Sequence, residues 1–147
     1  MSDRLPICFM PPATLAEFPA AAGAVAQMFD AAQAMKFIPA DRNGLDEGAL
    51  VISAHLRRSG KIIGTAVFFD AGNGRLWLDF LYIDADHRKC GYGLALLKEV
   101  KSYATKHGFR RVLLGTGLNN RPMRELASAA GFSTEALQMA VEIGGQK

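Results

Sequence analysis

The sequence lacks the features that mark secreted, metal-binding and membrane-spanning proteins. Its 147 residues include two cysteines, Cys8 and Cys90, with no CxxC pair and no metal-ligand spacing. This pattern excludes a disulfide scaffold and is typical of a reducing compartment. No apolar run is long enough to cross a bilayer, and residues 1–18 lack the basic head and apolar stretch of a signal peptide. We therefore expect a cytoplasmic protein without a metal or a membrane partner.

Strong charge of one sign is also missing. The chain has 17 Lys and Arg against 14 Asp and Glu, a net charge of +3, and its basic residues are scattered. This distribution argues against nucleic acid as the partner but is compatible with an anionic ligand. Half of the residues are hydrophobic, and no linker, repeat or low-complexity tract divides the chain. Residues 1–147 are therefore expected to form a single domain with a substantial core.

The first half of the chain carries strand patterns around an alanine-rich stretch. "RLPICFM" predicts an edge strand, and the stretch from 13 to 35 predicts two short helices or a broken one, because Pro19 and Gly23 interrupt it. "ALVISAHL" and "KIIGTAVFF" predict a hairpin, followed by a third strand from Arg75 to Ile83. The apolar pattern of this third strand changes parity after Phe80, which predicts a β-bulge there.

The second half alternates helices and strands, so the predicted fold class is α+β, a mixed α/β arrangement. A helix follows residue 91 and is expected to end at Gly108, and "RRVLLGTGL" predicts a buried strand. Asn120 is expected to cap a helix that has Pro122 in its first turn and stops at Gly131. "EALQMAVEI" predicts a closing strand.

A turn with two closely spaced glycines, "HRKCGYG", lies between the third strand and the next helix. The free amide groups and dipole of a helix start favour an anion, and Gly91 and Gly93 remove side chains that would block its approach. Each charge-assisted hydrogen bond from such an amide contributes roughly 1.5–3 kcal/mol. The turn therefore predicts a phosphate or pyrophosphate held mostly by backbone.

Three kinds of anion-binding loop compete for this turn. A Walker-type loop needs Gly-Lys followed by Ser or Thr, but here Leu94 follows Gly93. A dinucleotide-binding loop needs a third glycine near Ala95 and an acidic residue about twenty positions later, and neither is present. Arg88-x-x-Gly91-x-Gly93 instead resembles the Arg/Gln-x-x-Gly-x-Gly/Ala signature of the GNAT superfamily of N-acetyltransferases.

The resemblance extends from about Ala49 to Ile143, and Asn120 and the Gly131-Phe132 pair stand where GNAT enzymes commonly have the same residues. It implies a mostly antiparallel sheet with splayed fourth and fifth strands, flanked by helices, and acetyl-CoA as co-substrate. The cofactor-binding residues that it implies are Leu81, Tyr82, Ile83, Arg88, Lys89, Cys90, Gly91, Tyr92, Gly93, Leu94 and Asn120.

The resemblance also implies a direct attack by an amine, with the bulge presenting a backbone amide to the thioester oxygen. Leu81 is the candidate oxyanion donor and Asp79 the candidate base, although Asp79 also fits a solvent-facing strand position. Ala127 stands where the family usually has a tyrosine general acid, and Ser128, Tyr82 or water could replace it. Cys90, with His87 three residues earlier, is a candidate nucleophile. The better interpretation is an ordinary residue of a variable loop, because the sequence shows no third group that would orient the histidine.

The expected function is acetylation of a primary amine on a small molecule or a peptide. The alternatives are a non-catalytic acyl-CoA-binding module, which Ala127 favours, and acylation of a tRNA-linked amine, which the weak basic charge argues against. Met28, Phe29, Met35 and Phe37 either line an acceptor pocket or pack as an amphipathic helix. The resemblance leaves the acceptor open, and it leaves a homodimer open.

Overall fold

The structure is a computed structural model that describes residues 6–38, 42–45, 48–116, 120–136, 139, 141 and 143. Its elements in chain order are β1 (Ile7–Phe9), α1 (Pro19–Ala34), β2 (Leu50–Leu56), β3 (Ile62–Gly72), β4 (Arg75–Ile83), α2 (Tyr92–Lys106), β5 (Arg111–Leu114) and α3 (Arg121–Ala129). A single turn of 3₁₀-helix, Ala85–His87, connects β4 to the turn before α2. The bounds of β4 are those predicted from the sequence.

The five strands form one sheet in the order β1-β2-β3-β4-β5. The first four are antiparallel neighbours, and β4 and β5 are parallel. Helix α2 packs on one face of the sheet against residues such as Phe68 and Leu76, and α1 packs on the other face against Val67 and Phe80. The predicted fold class is confirmed: a mixed α/β chain with a mostly antiparallel sheet and flanking helices.

The predicted break in the alanine-rich stretch is wrong, because α1 is one continuous helix of 16 residues. Pro19 stands in its first turn, where the missing N–H would have had no partner within the helix anyway. Gly23 is exposed, and a Cβ there would meet open space, so it weakens the helix without ending it. The buried face is formed by Ala21, Val25, Met28, Phe29 and Ala32.

The predicted ends of the two later helices are confirmed. Gly108 follows α2 in a left-handed conformation with φ of 77°, and the Phe109 amide donates to the Ala104 carbonyl, as in a Schellman motif. Helix α3 begins after Asn120, whose side-chain oxygen accepts from the Met123 amide at 3.2 Å. It ends at Gly131, with φ of 95°.

The predicted bulge is present, but it lies at Asp79, one residue before the Phe80 position after which the apolar pattern changes parity. Val67 pairs with Phe80 and Phe68 pairs with Leu78, so Asp79 is the extra residue of β4. The parity therefore changes at Asp79. Leu76, Leu78, Leu81 and Ile83 all pack on the α2 face, whereas Phe80 turns to the α1 face.

The C-terminal part of the chain departs from prediction. Strand β5 is half-buried rather than buried, because it lies at the edge of the described sheet. In the predicted closing strand, the described residues 135, 136, 139, 141 and 143 are not in a strand, and the other four lie outside the described residues. Met139, Val141 and Ile143 are 80–86% exposed. No helix in the described part of the chain is long and apolar enough to cross a membrane.

Candidate functional site

A cleft opens where β4 and β5 separate. Their parallel ladder runs from Arg75↔Arg111 to Leu78↔Leu114, and within the described residues it goes no further. The next residue of β4 is the bulged Asp79, and the rest of β4 borders the opening. The cleft is lined by Ala32, Phe37, Ile38, Leu78, Asp79, Phe80, Leu81, Tyr82, Leu114, Gly115, Thr116, Asn120 and Met123.

The two-glycine turn stands at the end of β4 beyond this cleft. Lys89 has φ of 62° and Gly91 has φ of 82°, so the chain passes through two left-handed residues before α2 begins. Gly91 is the N-cap of α2, and its carbonyl accepts the Ala95 amide. The three amides between them, in the first turn of α2, have no acceptor one turn earlier in the helix. The turn thus offers helix-start donors beside the end of β4, which pairs with β3 on one side and has no described strand partner on the β5 side.

The two glycines are required for different reasons. A Cβ at Gly91 would meet nothing within 4 Å, so glycine serves there for its left-handed backbone and leaves open space above the turn. A Cβ at Gly93 would lie 3.1 Å from Leu126 Cδ2 and 3.7 Å from Ile83 Cγ1. Gly93 therefore lets α2 approach α3 and β4 closely, a packing reason that the sequence did not reveal.

The Arg88 side chain links the two-glycine turn to the end of β4. Its Nε donates to the Ile83 carbonyl at 2.9 Å, and its guanidinium carbon lies 4.9 Å from the centre of the Tyr82 ring. The neighbouring Cys90 is exposed and its Sγ lies 3.4 Å from the Arg88 carbonyl oxygen, whereas His87 Nδ1 lies 3.4 Å from an Asp84 carboxylate oxygen. His87 Nδ1 thus lies near Asp84 but forms no hydrogen bond within the described part of the chain.

Asp79, the candidate base, lies on the cleft but is paired with Arg42. Arg42 Nη1 donates to Asp79 Oδ1 at 3.0 Å and Nη2 donates to Oδ2 at 2.5 Å. The Asp79 side chain is 11% exposed and that of Arg42 is 32% exposed. Asp79 is therefore neither a free carboxylate nor the solvent-facing residue of the alternative. Nothing in the sequence pattern ties Arg42, 37 residues away, to this strand.

The structure brings together several of the predicted site residues and gives others a local role. Leu81, Tyr82 and Asn120 line the cleft. Tyr92, the first residue of α2, is buried in the core. Of the predicted methionine and phenylalanine cluster, Phe37 lines the cleft, Met28 and Phe29 pack in the core, and Met35 is exposed.

Asn120 and Met123, at the start of α3, line part of the cleft. Met123 faces the opening, and the Asn120 side chain caps the helix. Ala127 is 7% exposed, so the position of the usual tyrosine acid is enclosed by the protein. Among the described residues, no group of three or more His, Cys, Asp and Glu side chains could hold a metal ion.

Comparison with known proteins extends these observations. Residues 21–132 match the model of the acetyltransferase (GNAT) family. No curated protein sequence matches the chain.

Solved structures similar to this one include an aminoglycoside acetyltransferase from an uncultured soil metagenomic sample in complex with sisomicin, with a TM-score of 0.72 and 15% identity, covering 96% of this chain and 97% of that one. A ribosomal-protein-alanine N-acetyltransferase from Brucella melitensis biovar Abortus 2308 has a TM-score of 0.67 and 17% identity, over 93% and 99% of the two chains. An aminoglycoside N-acetyltransferase in complex with CoA has a TM-score of 0.68 and 17% identity, over 98% and 99%.

Proposed function

The chain belongs to the GNAT family of acetyltransferases, and on this premise we propose that it transfers an acetyl group from acetyl-CoA to a primary amine of a small molecule or a peptide. The observation that supports the proposal is that the two-glycine turn and the free side of β4 lie next to each other. The helix-start amides of the two-glycine turn lie directly beyond the segment of β4 that has left its β5 partner. Together they would form one continuous binding surface along β4, and the helix-start amides at its end suit an anion.

The residues along this surface fit the parts of the co-substrate. The backbone from Lys89 to Leu94 would hold the pyrophosphate, and the open space above Gly91 leaves room for it. The edge of β4 that faces away from β3, from Leu81 to Ile83, has no strand partner among the described residues and would hold the pantetheine arm by main-chain hydrogen bonds. Arg88 keeps the turn in place through its bond to the Ile83 carbonyl.

Bound acetyl-CoA supplies an activated thioester, and the protein has to orient it and admit an unprotonated amine. A backbone amide near the bulge, with Leu81 as the candidate, would stabilise the developing oxyanion. An alkyl amine with a pKa near 10 is about 99.9% protonated at pH 7, a cost of roughly 4 kcal/mol. Asp79, the candidate base, accepts hydrogen bonds from Arg42 through both of its carboxylate oxygens.

The acceptor class draws support from the similar structures. Two of the similar proteins are named for aminoglycosides and one for the alanine of a ribosomal protein, so small cationic amines and peptide amines are the acceptors to test first. A non-catalytic acyl-CoA-binding module is the second candidate, and Ala127 favours it because the usual acid is missing. Losing that acid costs no more than about 2 kcal/mol, since a thiol of pKa near 8.5 leaves readily.

The test is release of free CoA thiol from acetyl-CoA, measured with a panel of aminoglycosides, polyamines and alanine-initiated peptides. The enzyme proposal expects thiol release with at least one acceptor and none above background without an acceptor. Calorimetric binding of acetyl-CoA with no release on any acceptor would favour the binding module. No binding of acetyl-CoA at all would refute both.

A further inference from the structure

The ion pair between Arg42 and Asp79 ties two distant parts of the chain together. Besides its two bonds to the carboxylate, Arg42 donates from Nε to the Gly44 carbonyl at 3.2 Å, and its guanidinium carbon lies 5.7 Å from the centre of the Phe29 ring. Its own backbone carbonyl accepts from Gln33 Nε2 at 2.9 Å. Arg42 is therefore fixed to α1, to its own loop and to the bulge of β4.

Arg42 lies in the α1–β2 segment, which we define as residues 35–49 and which the structure describes at 35–38, 42–45 and 48–49. The segment leaves α1 through Lys36, whose φ is 65°, and this turn sends Phe37 and Ile38 to the cleft. Leu45 packs against the core under α1. Phe37 and Ile38 thus form part of the cleft wall, and among the described residues of the segment Arg42 bonds to the bulge of β4 through Asp79.

We propose that Asp79 is a positioning residue that anchors the α1–β2 segment through Arg42, and that this anchored segment shapes the acceptor side of the cleft. The part of this inference that concerns the acceptor rests on the proposed function, whereas the anchoring bond between Arg42 and Asp79 does not depend on it. In this assignment the acceptor ammonium first loses a proton to water. The amine nitrogen then forms a bond to the acetyl carbon, the carbon–sulfur bond breaks, and the second proton of the nitrogen passes through water to the CoA thiolate.

The geometry favours anchoring over general-base catalysis. Both carboxylate oxygens of Asp79 are held by the guanidinium, and the carboxylate is mostly buried. Removing either partner is therefore expected to loosen the segment, because each single change breaks both hydrogen bonds between Arg42 and Asp79.

The test uses the full-length chain with Asp79→Asn, Arg42→Gln and the double variant, and Glu135→Gln as the matched control. The control also converts a carboxylate to an amide within an ion pair, that of Arg111 and Glu135, but both of these side chains are at least half exposed. Arg42→Lys keeps the positive charge but cannot make the bidentate hydrogen bonds to Asp79. It replaces Arg42→Gln in the test if that variant does not fold.

Two measurements are made on each variant. Amide hydrogen exchange of peptides covering residues 36–45 reports the anchor without any ligand. Steady-state kinetics from pH 6.5 to 9.5, with an acceptor found in the amine panel, report KM for the amine, KM for acetyl-CoA and kcat.

The anchoring role expects faster exchange over 36–45 in Asp79→Asn and in Arg42→Gln, similar exchange in the double variant, and no change in Glu135→Gln. It expects KM for the amine to rise about tenfold in both single variants, with kcat and KM for acetyl-CoA within about twofold of wild type. The deficit of Asp79→Asn should be the same at every pH.

The opposite results would overturn the role. A base at Asp79 would make Asp79→Asn lose about 10²–10⁴ in kcat, with a deficit that shrinks as rising pH deprotonates the amine, while Arg42→Gln stays active. Unchanged exchange over 36–45 in both single variants would also overturn it. If no amine is acetylated, the proposed function fails, and the exchange result alone decides whether the anchor exists.

Discussion

Replacing Gly91 with glutamate should abolish binding of acetyl-CoA while leaving the protein folded. A Cβ at this position meets nothing within 4 Å, so the new side chain finds room in the free protein. It would point into the open space above the turn, which is the space assigned to the pyrophosphate. The carboxylate would therefore add bulk and negative charge at the proposed anion site.

The effect of Gly91→Glu on folding comes from backbone strain, and its effect on binding comes from charge repulsion; the two can be estimated separately. The φ of 82° makes any L side chain at Gly91 strained by about 1 kcal/mol, which in a chain of this size lowers Tm by about 2–4 °C. A carboxylate about 5 Å from one phosphate charge costs roughly 0.8–3.3 kcal/mol at effective dielectric constants of 80 to 20. Two phosphate charges give at least about 1.6 kcal/mol, or about a fifteenfold loss of affinity.

Isothermal titration calorimetry with acetyl-CoA measures the loss, and two variants control for the strain. Gly91→Ala has the same backbone strain without the charge. Gly108→Glu places the same side chain at a glycine with φ of 77° and open space, but at the other end of α2. Both should bind within a few-fold of wild type. A folded Gly91→Glu protein that binds as tightly as Gly91→Ala would refute the site.

Three further changes probe the surroundings of the cleft. Asn120→Ala should lower stability by about 1 kcal/mol in thermal unfolding because α3 loses its cap, whereas Asn120→Asp should keep it; equal Tm in both would show that the cap contributes nothing. Ala127→Tyr should destabilise the protein by about 1–3 kcal/mol and not restore an acid, because Ala127 is enclosed; a gain in thiol release at unchanged Tm would contradict this. Lys36→Gly should raise Tm by about 2–4 °C by relieving a φ of 65°, and a lower Tm would mean that its side chain stabilises the turn.

Local signals in the sequence predicted the fold well because each rests on a few neighbouring residues. Alternating apolar residues marked β4 from Arg75 to Ile83 with the correct bounds, and Gly108 and Gly131 marked the ends of two helices. Pro19 misled the prediction because proline is compatible with the first turn of a helix as well as with a break. The parity change located a bulge but not its residue, because the pattern does not show which strand residue lacks a partner.

The sequence by itself determined the order of elements from β2 to α3, the two-glycine turn and the resemblance to the acetyltransferase family, because backbone conformation and helix capping are set by residues close in the chain. Only the tertiary structure decided what the site residues contact. Arg42 and Asp79 are 37 positions apart and meet because the segment after α1 folds over the bulge of β4. Gly93 serves the packing of α2 against Leu126, and Ala127 lies enclosed in α3. Such contacts depend on the distance between elements after packing, which short-range patterns in the chain do not encode.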